Sequence, residues 1–374
     1  MTTFYFRRSV EKAFQIDEQP PDLSLNLNRP ISSNPPYMTS AVDDVMYLVN
    51  QVIQRSLATS QRNVVESVVP TIARVLGSDF IGMIQRKMRD ESYPKAAIQG
   101  ALPPEHVIVA FLVLINNLDV ATDYVKKIVQ SRLESLSGAS TSNGDGTPSS
   151  SLSDLYPFGH DAVFVTDKLK SLQSSFKDKT FELITDGIYV VFKNVMKPRL
   201  RPILADTFRD IDYSTAGEDT DELGDNLEAE NDTNTIAEDT VIRRFQHGWE
   251  ALTKPIARIL TDQNFDRLLA QVISYLGEVL EKRIWSYYGR INSLGAVRLE
   301  RDIASIVSLV VRGGRYALRD SFTRCTQICL VMNMEDDEWD ELQSTRGGLG
   351  DDGVEWKINS EERSRAKAMI RNPS

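Results

Sequence analysis

The pattern in this 374-residue chain with the most evident chemical potential is Asp336-Asp337-Glu338-Trp339-Asp340. Asp336 and Asp340 stand four residues apart, so on a helix they share a face and can hold a hard cation such as magnesium, and through it a diphosphate. Asn231, Asp232, Thr235 and Asp239 offer further oxygen ligands at helical spacing. They lie in a low-complexity acidic stretch, where closely spaced acids follow from composition alone.

All-helical isoprenoid synthases use two such motifs, so a magnesium-dependent enzyme of that kind is one reading. The two elements occur here in the reverse of the usual order, and the acidic run reads far more readily as a solvated turn that ends a helix. His106, His160 and His247 are scattered, with no nucleophile-bearing elbow or phosphate loop beside them. Gly313-Gly314 and Gly347-Gly348 lack the strand-to-helix context of a phosphate loop. Cys325 and Cys329 are four apart in an apolar stretch and read as buried thiols, because the histidines are not in register to complete a zinc site. Two cysteines in all suit a reducing compartment. No catalytic, cofactor-binding or metal-binding residue is assigned.

Arg324 carries a different kind of signal. It sits among Phe322, Cys325, Ile328 and Cys329, and a guanidinium turned toward such a face must be paired. Glu362, after Trp356-Lys357-Ile358, is an available carboxylate. The expectation is a structural ion pair, Arg324 with Glu362, that holds a short last helix on its bundle.

These residues need a scaffold, and composition supports one: 41% of residues are hydrophobic and 26% charged, as in soluble globular proteins. The net charge of -10 is local, since residues 206–239 hold 13 acids against one Arg and leave 42 basic and 40 acidic residues elsewhere. A nearly neutral body has no field to steer nucleic acid, and the densest basic tract, Lys193, Lys197, Arg199 and Arg201, is broken by Pro198 and Pro202. The longest apolar run, Val107 to Ile115, is nine residues. About 20 are needed to cross a bilayer, so membrane insertion is not expected. Asn231-Asp232-Thr233 matches a glycosylation site, which a cytosolic chain never presents to the enzyme.

Apolar residues recur every three or four positions through the ordered stretches. Val42, Val45, Met46, Val49, Val52 and Ile53 follow Ser40 and Asp43, which resemble a capping box. Residues 61–91 continue the pattern with a bend at Pro70, and residues 104–136 form a helix whose Asn116 and Asn117 could bond between helices. Ala162, Val165, Leu169, Leu172 and Phe176 mark a fourth helix ending near Lys197-Pro198. Ile242 to Ile259, Leu268 to Leu280, Val297 to Met332 with a bend at Gly313-Gly314, and a helix from near Ser360 complete the set. The expected fold is all-α: two tandem bundles forming a rod. Residues 1–38 are an amino-terminal arm with a proline-rich insert, 39–205 a first bundle with a flexible loop at 137–153, 206–239 an acidic disordered linker, and 240–374 the second bundle.

Several ordered stretches resemble one family. Tyr5 to Ala13, Val42 to Val49, Phe111 to Leu118 and above all Gly295 to Met334, with the Trp356 and Glu362 region, are similar to subunit 4 of the conserved oligomeric Golgi complex. The resemblance implies a non-enzymatic tether subunit in retrograde Golgi transport, bound to the other subunits of that complex and to Golgi SNAREs and their regulators. It implies peripheral association with the cytoplasmic face of the Golgi membrane, no cofactor and no nucleic acid. It also implies that the chain starts inside the family's length, without its amino-terminal coiled-coil part, and that Arg324 and Glu362 occupy positions consistent with pairing. A subunit of another helical tethering complex is the alternative with the same architecture.

Overall fold

In a computed structural model of the protein, residues 3–95, 102–134, 152–214, 230–313, 315–344 and 355–370 are described. Most of them are helical, none forms a β-strand, and an isolated β-bridge pairs Ile291 with Ile370. The chain forms two compact units, Met1–Val195 with Lys254–Leu268, and Met196–Thr253 with Leu269–Ser374. This differs from a linear division around the acidic stretch.

The first unit contains α1 (Thr3–Gln15), α2 (Ser40–Leu57), α3 (Arg62–Arg74), α4 (Ile81–Asp90), α5 (Glu105–Glu134), the short α6 (Leu152–Leu155) and α7 (Asp161–Val191). α5 is buried around much of its circumference from Ile108 to Leu118, as a bundle's central helix must be. α7 lays Val165, Leu169, Leu172, Phe176, Ile184 and Ile188 into the core and packs along α3 and α5. Pro70 does not stop α3; a π-helical turn, Val75–Phe80, follows and leads directly into α4. Two helical stretches, Arg62–Asp90 and Glu105–Leu133, are long and apolar enough to cross a membrane, and 39% and 61% of their most apolar windows are buried inside the protein. A bundle's core helix meets the same criteria.

The amino-terminal arm is built into this unit. Phe6, Val10, Ala13 and Phe14 bury one face of α1, and the Phe14 ring lies 5.7 Å from Phe80, which lies 6.2 Å from Phe176. The proline-rich segment behind it is fastened by polar side chains. Glu105 accepts from Ser24 Oγ at 2.6 Å and Leu25 N at 2.8 Å, and Asp17 accepts from Ala41 N and, at 2.7 Å, from Lys87 Nζ. Asn117 pairs with both the N–H and the hydroxyl of Thr39. Asn116 donates to the carbonyls of Tyr37 and Ile259 and accepts from Thr261 N. The two asparagines thus tie helix α5 to the segments that lead into other helices. Asn116, with Asp119 bonded to Thr261 Oγ1, explains why residues 254–268 belong to this unit.

The second unit contains α8 (Lys197–Thr207), most of α9 (Glu230–Ala257) and α10 (Asp262–Trp285), then α11 (Ser293–Val310), α12 (Thr323–Asn333), α13 (Asp336–Ser344) and α14 (Ser360–Lys367). The helix expected to end near Pro198 instead continues through a π-helical turn, Phe192–Met196, into α8. Pro198, which has no N–H to give the preceding turn, directly follows that π-helical turn, where the regular i to i−4 bonding is already interrupted. Glu230–Asp239, part of the expected linker, is the start of α9: the helix packed from Val241 onward propagates upstream, since extending an existing helix is cheap. The rest of that linker, 215–229, and residues 137–151 of the expected loop lie outside the described residues.

The stretch Val297 to Met332 is two helices, not one bent helix. α11 ends at Val310, Gly313 takes a φ of 80°, and a 3-10 segment, Tyr316–Phe322, leads into α12. Gly314 and Gly347-Gly348 lie outside the described residues. The start of α11 is capped by Asn292, whose side chain accepts from Gly295 N at 2.7 Å, while Tyr213 below it donates its buried hydroxyl to Asp302 at 2.7 Å. Burial and the neighbouring Asp302 carboxylate push the Tyr213 hydroxyl's pKa up.

Candidate functional site: a clamp on the terminal helix

Arg324, in the first turn of α12, is the charged residue on which the terminal helix converges. Phe322, Cys325, Ile328 and Cys329 around it are buried, and Arg324 leaves the core at the rim, with its side chain 37% exposed. Its guanidinium reaches three elements at once. Nε and Nη2 form a two-pronged pair with Glu281 of α10 at 2.9 and 2.8 Å. Nη2 also lies 2.6 Å from Glu362 Oε1 on α14, and Nη1 donates to the Lys357 carbonyl at 2.8 Å.

The structure brings together the charged groups of Arg324 and Glu362, the pair expected from the sequence, and adds Glu281 to them. Glu281 follows buried Leu280 and stands one turn beyond Gly277, whose carbonyl accepts from Cys325 Sγ at 3.4 Å. A carboxylate beside buried leucine was its only local signal.

Glu362 has a second role. Asn359 caps α14 by accepting from Glu362 N at 2.8 Å, and Glu362 Oε2 returns to Asn359 N at 2.8 Å, a reciprocal capping box. One carboxylate therefore starts the helix and binds it to α12. Its pKa is held below the usual carboxylate range, first by the Arg324 hydrogen bond and then by the Asn359 N–H. The hydrogen bonds of Glu281 and Glu362 hold the Arg324 guanidinium more firmly protonated than usual.

Other contacts seat the same segment. Gln327 donates to the Glu355 carbonyl and accepts from Lys357 N, both at 2.8 Å, and Lys367 binds the Met334 carbonyl and Asp336. Arg365 lies over the Trp285 ring, 4.7 Å from its centroid, and Ile358, Ala366 and Met369 are buried.

The acidic run lies elsewhere. Asp336, Asp337 and Glu338 form the first turn of α13, where carboxylates complement the helix dipole; they begin a helix and do not end one. Asp336 is engaged by Lys367 at 2.9 Å. Among the described residues no three His, Cys, Asp or Glu side chains converge closely enough to share a cation. Asn231, Asp232, Thr235 and Asp239 fall on α9 at positions whose side chains lie outside the described residues. His106 sits on α5, His160 just before α7 and His247 on α9; Cys325 and Cys329 are free and buried.

What this arrangement does is join helices. Its carboxylates are engaged by a guanidinium and by a backbone N–H group, and the fold that surrounds it is that of a helical-bundle protein. Comparison with known proteins specifies which. The family model for conserved oligomeric Golgi complex subunit 4, C-terminal, matches residues 111–365, and the model for COG4 transport protein, middle alpha-helical bundle, matches residues 1–88. The chain belongs to the family of conserved oligomeric Golgi complex subunit 4. Proteins of that name from Arabidopsis thaliana, Saccharomyces cerevisiae and Homo sapiens are 27%, 28% and 21% identical over 89%, 58% and 90% of the chain. The chain spans 39%, 26% and 40% of their respective lengths.

Proposed function

We propose that this chain acts as a non-enzymatic scaffold in the Golgi complex for which its relatives are named, tethering vesicles in retrograde transport from the cytoplasmic face of the membrane. The reading is carried by one observation: two successive family regions match in order along residues 1–88 and 111–365. The Arg324 clamp fits it, because a subunit that works by presenting surfaces must hold its helices in a fixed arrangement. In this reading Arg324, Glu281 and Glu362 form a structural ion cluster that keeps α14 seated. Partners are the other subunits of the complex, Golgi SNAREs and their regulators.

The test is affinity purification of the tagged chain from cells, followed by mass spectrometry and by imaging. Recovery of the other subunits and SNAREs, with Golgi localisation, is the expected outcome. A folded chain that recovers none of those subunits sinks the proposal. A parallel arm substitutes Asp336, Asp337 and Asp340 with Asn and measures diphosphate release from isoprenoid diphosphates; any release that depends on these residues contradicts the non-enzymatic reading.

A further inference from the structure

The helix α1 carries a surface that its packing does not use. Phe6, Val10, Ala13 and Phe14 face the core, which turns Phe4, Tyr5, Arg8 and Lys12 outward. Phe4 and Tyr5 are 63% and 61% exposed with their rings edge-to-face at 5.7 Å, and Ile16, just beyond the helix, is 60% exposed. Beside them an open groove of about 760 Å³ runs between α1 and the π-helical turn with α4, and Arg7 and Arg86 stand on its walls.

We propose that this face of α1 docks on an anionic lipid bilayer. The proposal rests on the peripheral membrane association inferred above and supplies its contact surface. Amphipathic aromatic rings settle at the headgroup level and basic side chains are drawn to anionic headgroups, so large apolar and basic residues interleaved on one exposed helix face match that boundary. Of the nearby carboxylates, Glu11 and Asp79 engage Arg7 at 3.5 and 3.1 Å, Asp17 engages Lys87, and Glu18 is exposed beyond Ile16, while Arg8 and Lys12 face outward on the helix itself. An acidic partner helix fits less well. Such a helix needs a continuous apolar stripe to bury, and here Arg8 and Lys12 separate Phe4 and Tyr5 from Ile16.

The experiment is co-sedimentation of the 374-residue chain with vesicles of phosphatidylcholine alone and of phosphatidylcholine mixed with phosphatidylserine. Binding is expected only to the mixed vesicles and should weaken as salt screens the charges. Arg8→Glu with Lys12→Glu should reduce partitioning by about tenfold or more. Phe4→Ala with Tyr5→Ala should reduce it without changing its salt dependence. Lys126→Glu with Lys127→Glu, the same charge change at exposed positions on α5, should leave it unaltered. All these side chains are exposed, and circular dichroism checks that each variant folds. Equal binding to both vesicle types, equal loss in the α5 control, or no binding at all overturns the proposal. If vesicle binding fails while the chain still recovers the other subunits, the docking surface is wrong and the scaffold reading survives. If vesicles bind but no subunit is recovered, the docking surface stands and the scaffold reading falls.

Discussion

Glu281 and Glu362 grip one guanidinium from two helices: Arg324 Nη2 lies 2.8 Å from the first carboxylate and 2.6 Å from the second. Neither glutamate could stand so near the other without the arginine between them, so its removal does more than delete the arginine's own hydrogen bonds. Arg324→Leu should lower unfolding stability by about 1–2 kcal/mol, since it leaves two partly solvated carboxylates facing each other. Arg324→Lys should recover only part of this, because an ammonium cannot make the forked pair with Glu281. Urea denaturation and limited proteolysis of the carboxy-terminal segment check both, and unchanged midpoints and cleavage would remove the clamp from the account.

Two glycines mark where helices meet backbone. A Cβ on Gly277 would collide with the Ser321 carbonyl oxygen, and one on Gly295 with the Tyr213 carbonyl oxygen. Backbone cannot swing aside as a side-chain tip can, so Gly277→Ala and Gly295→Ala should each cost about 1–3 kcal/mol. Gly82 on α4 is the contrast, with nothing within 4 Å of where its Cβ would stand. Gly82→Ala should stabilise the chain by about 0.5–1 kcal/mol through helix propensity. Chemical denaturation of the three variants gives the signs, and a stabilised Gly277 or Gly295 variant would contradict the packing described.

Periodicity made most of the helices legible, because residues such as Val165, Leu169, Leu172 and Phe176 declare a buried face by spacing alone. The same spacing is present for α1 in Phe6, Val10, Ala13 and Phe14, although the prolines that follow mark residues 1–38 as an arm with an insert. What fastens that arm could not be read, since Glu105, Asn116 and Asn117 bond to residues some 80 positions earlier, and spacing carries no information about such partners. Arg324 was readable for the opposite reason: a guanidinium among apolar neighbours demands a carboxylate, and Glu362 was available. Demand of that kind does not reveal that a second carboxylate, Glu281, shares the load.

Acid should separate two carboxylates of opposite character. The pKa of Glu362 is lowered by its Arg324 bond, so its contribution to stability is present above its unfolded pKa and is lost as pH falls through the folded one. For Asp119 burial dominates and raises the pKa, so its contribution is present below the unfolded value and is lost as pH rises through the folded one. Glu362→Gln should therefore trail the parent at neutral pH and approach it below about pH 4. Asp119→Asn should gain on the parent as pH rises from there, with Thr261 still able to donate to the amide oxygen. Urea midpoints across pH for both variants test the pair, and parallel curves would refute the assigned causes.

Cys325 and Cys329 should behave as silent thiols in the native chain. Burial pushes the Cys325 thiol up to about 12 and raises Cys329 as well, so almost no thiolate exists at pH 8, and a bulky reagent has no path to either sulfur. Labelling must then wait for an opening of the second unit, and its rate becomes a measure of how often that opening occurs. A disulfide-exchange reagent at pH 8 should leave both cysteines unmodified in the native chain and modify both after denaturation. In Arg324→Leu the native-state rate should rise in step with the stability lost, because the thiol beside the clamp is exposed only when α12 and its neighbours separate. Rapid labelling of Cys325 in the unmutated chain would mean that α12 is not packed against Gly277 as described.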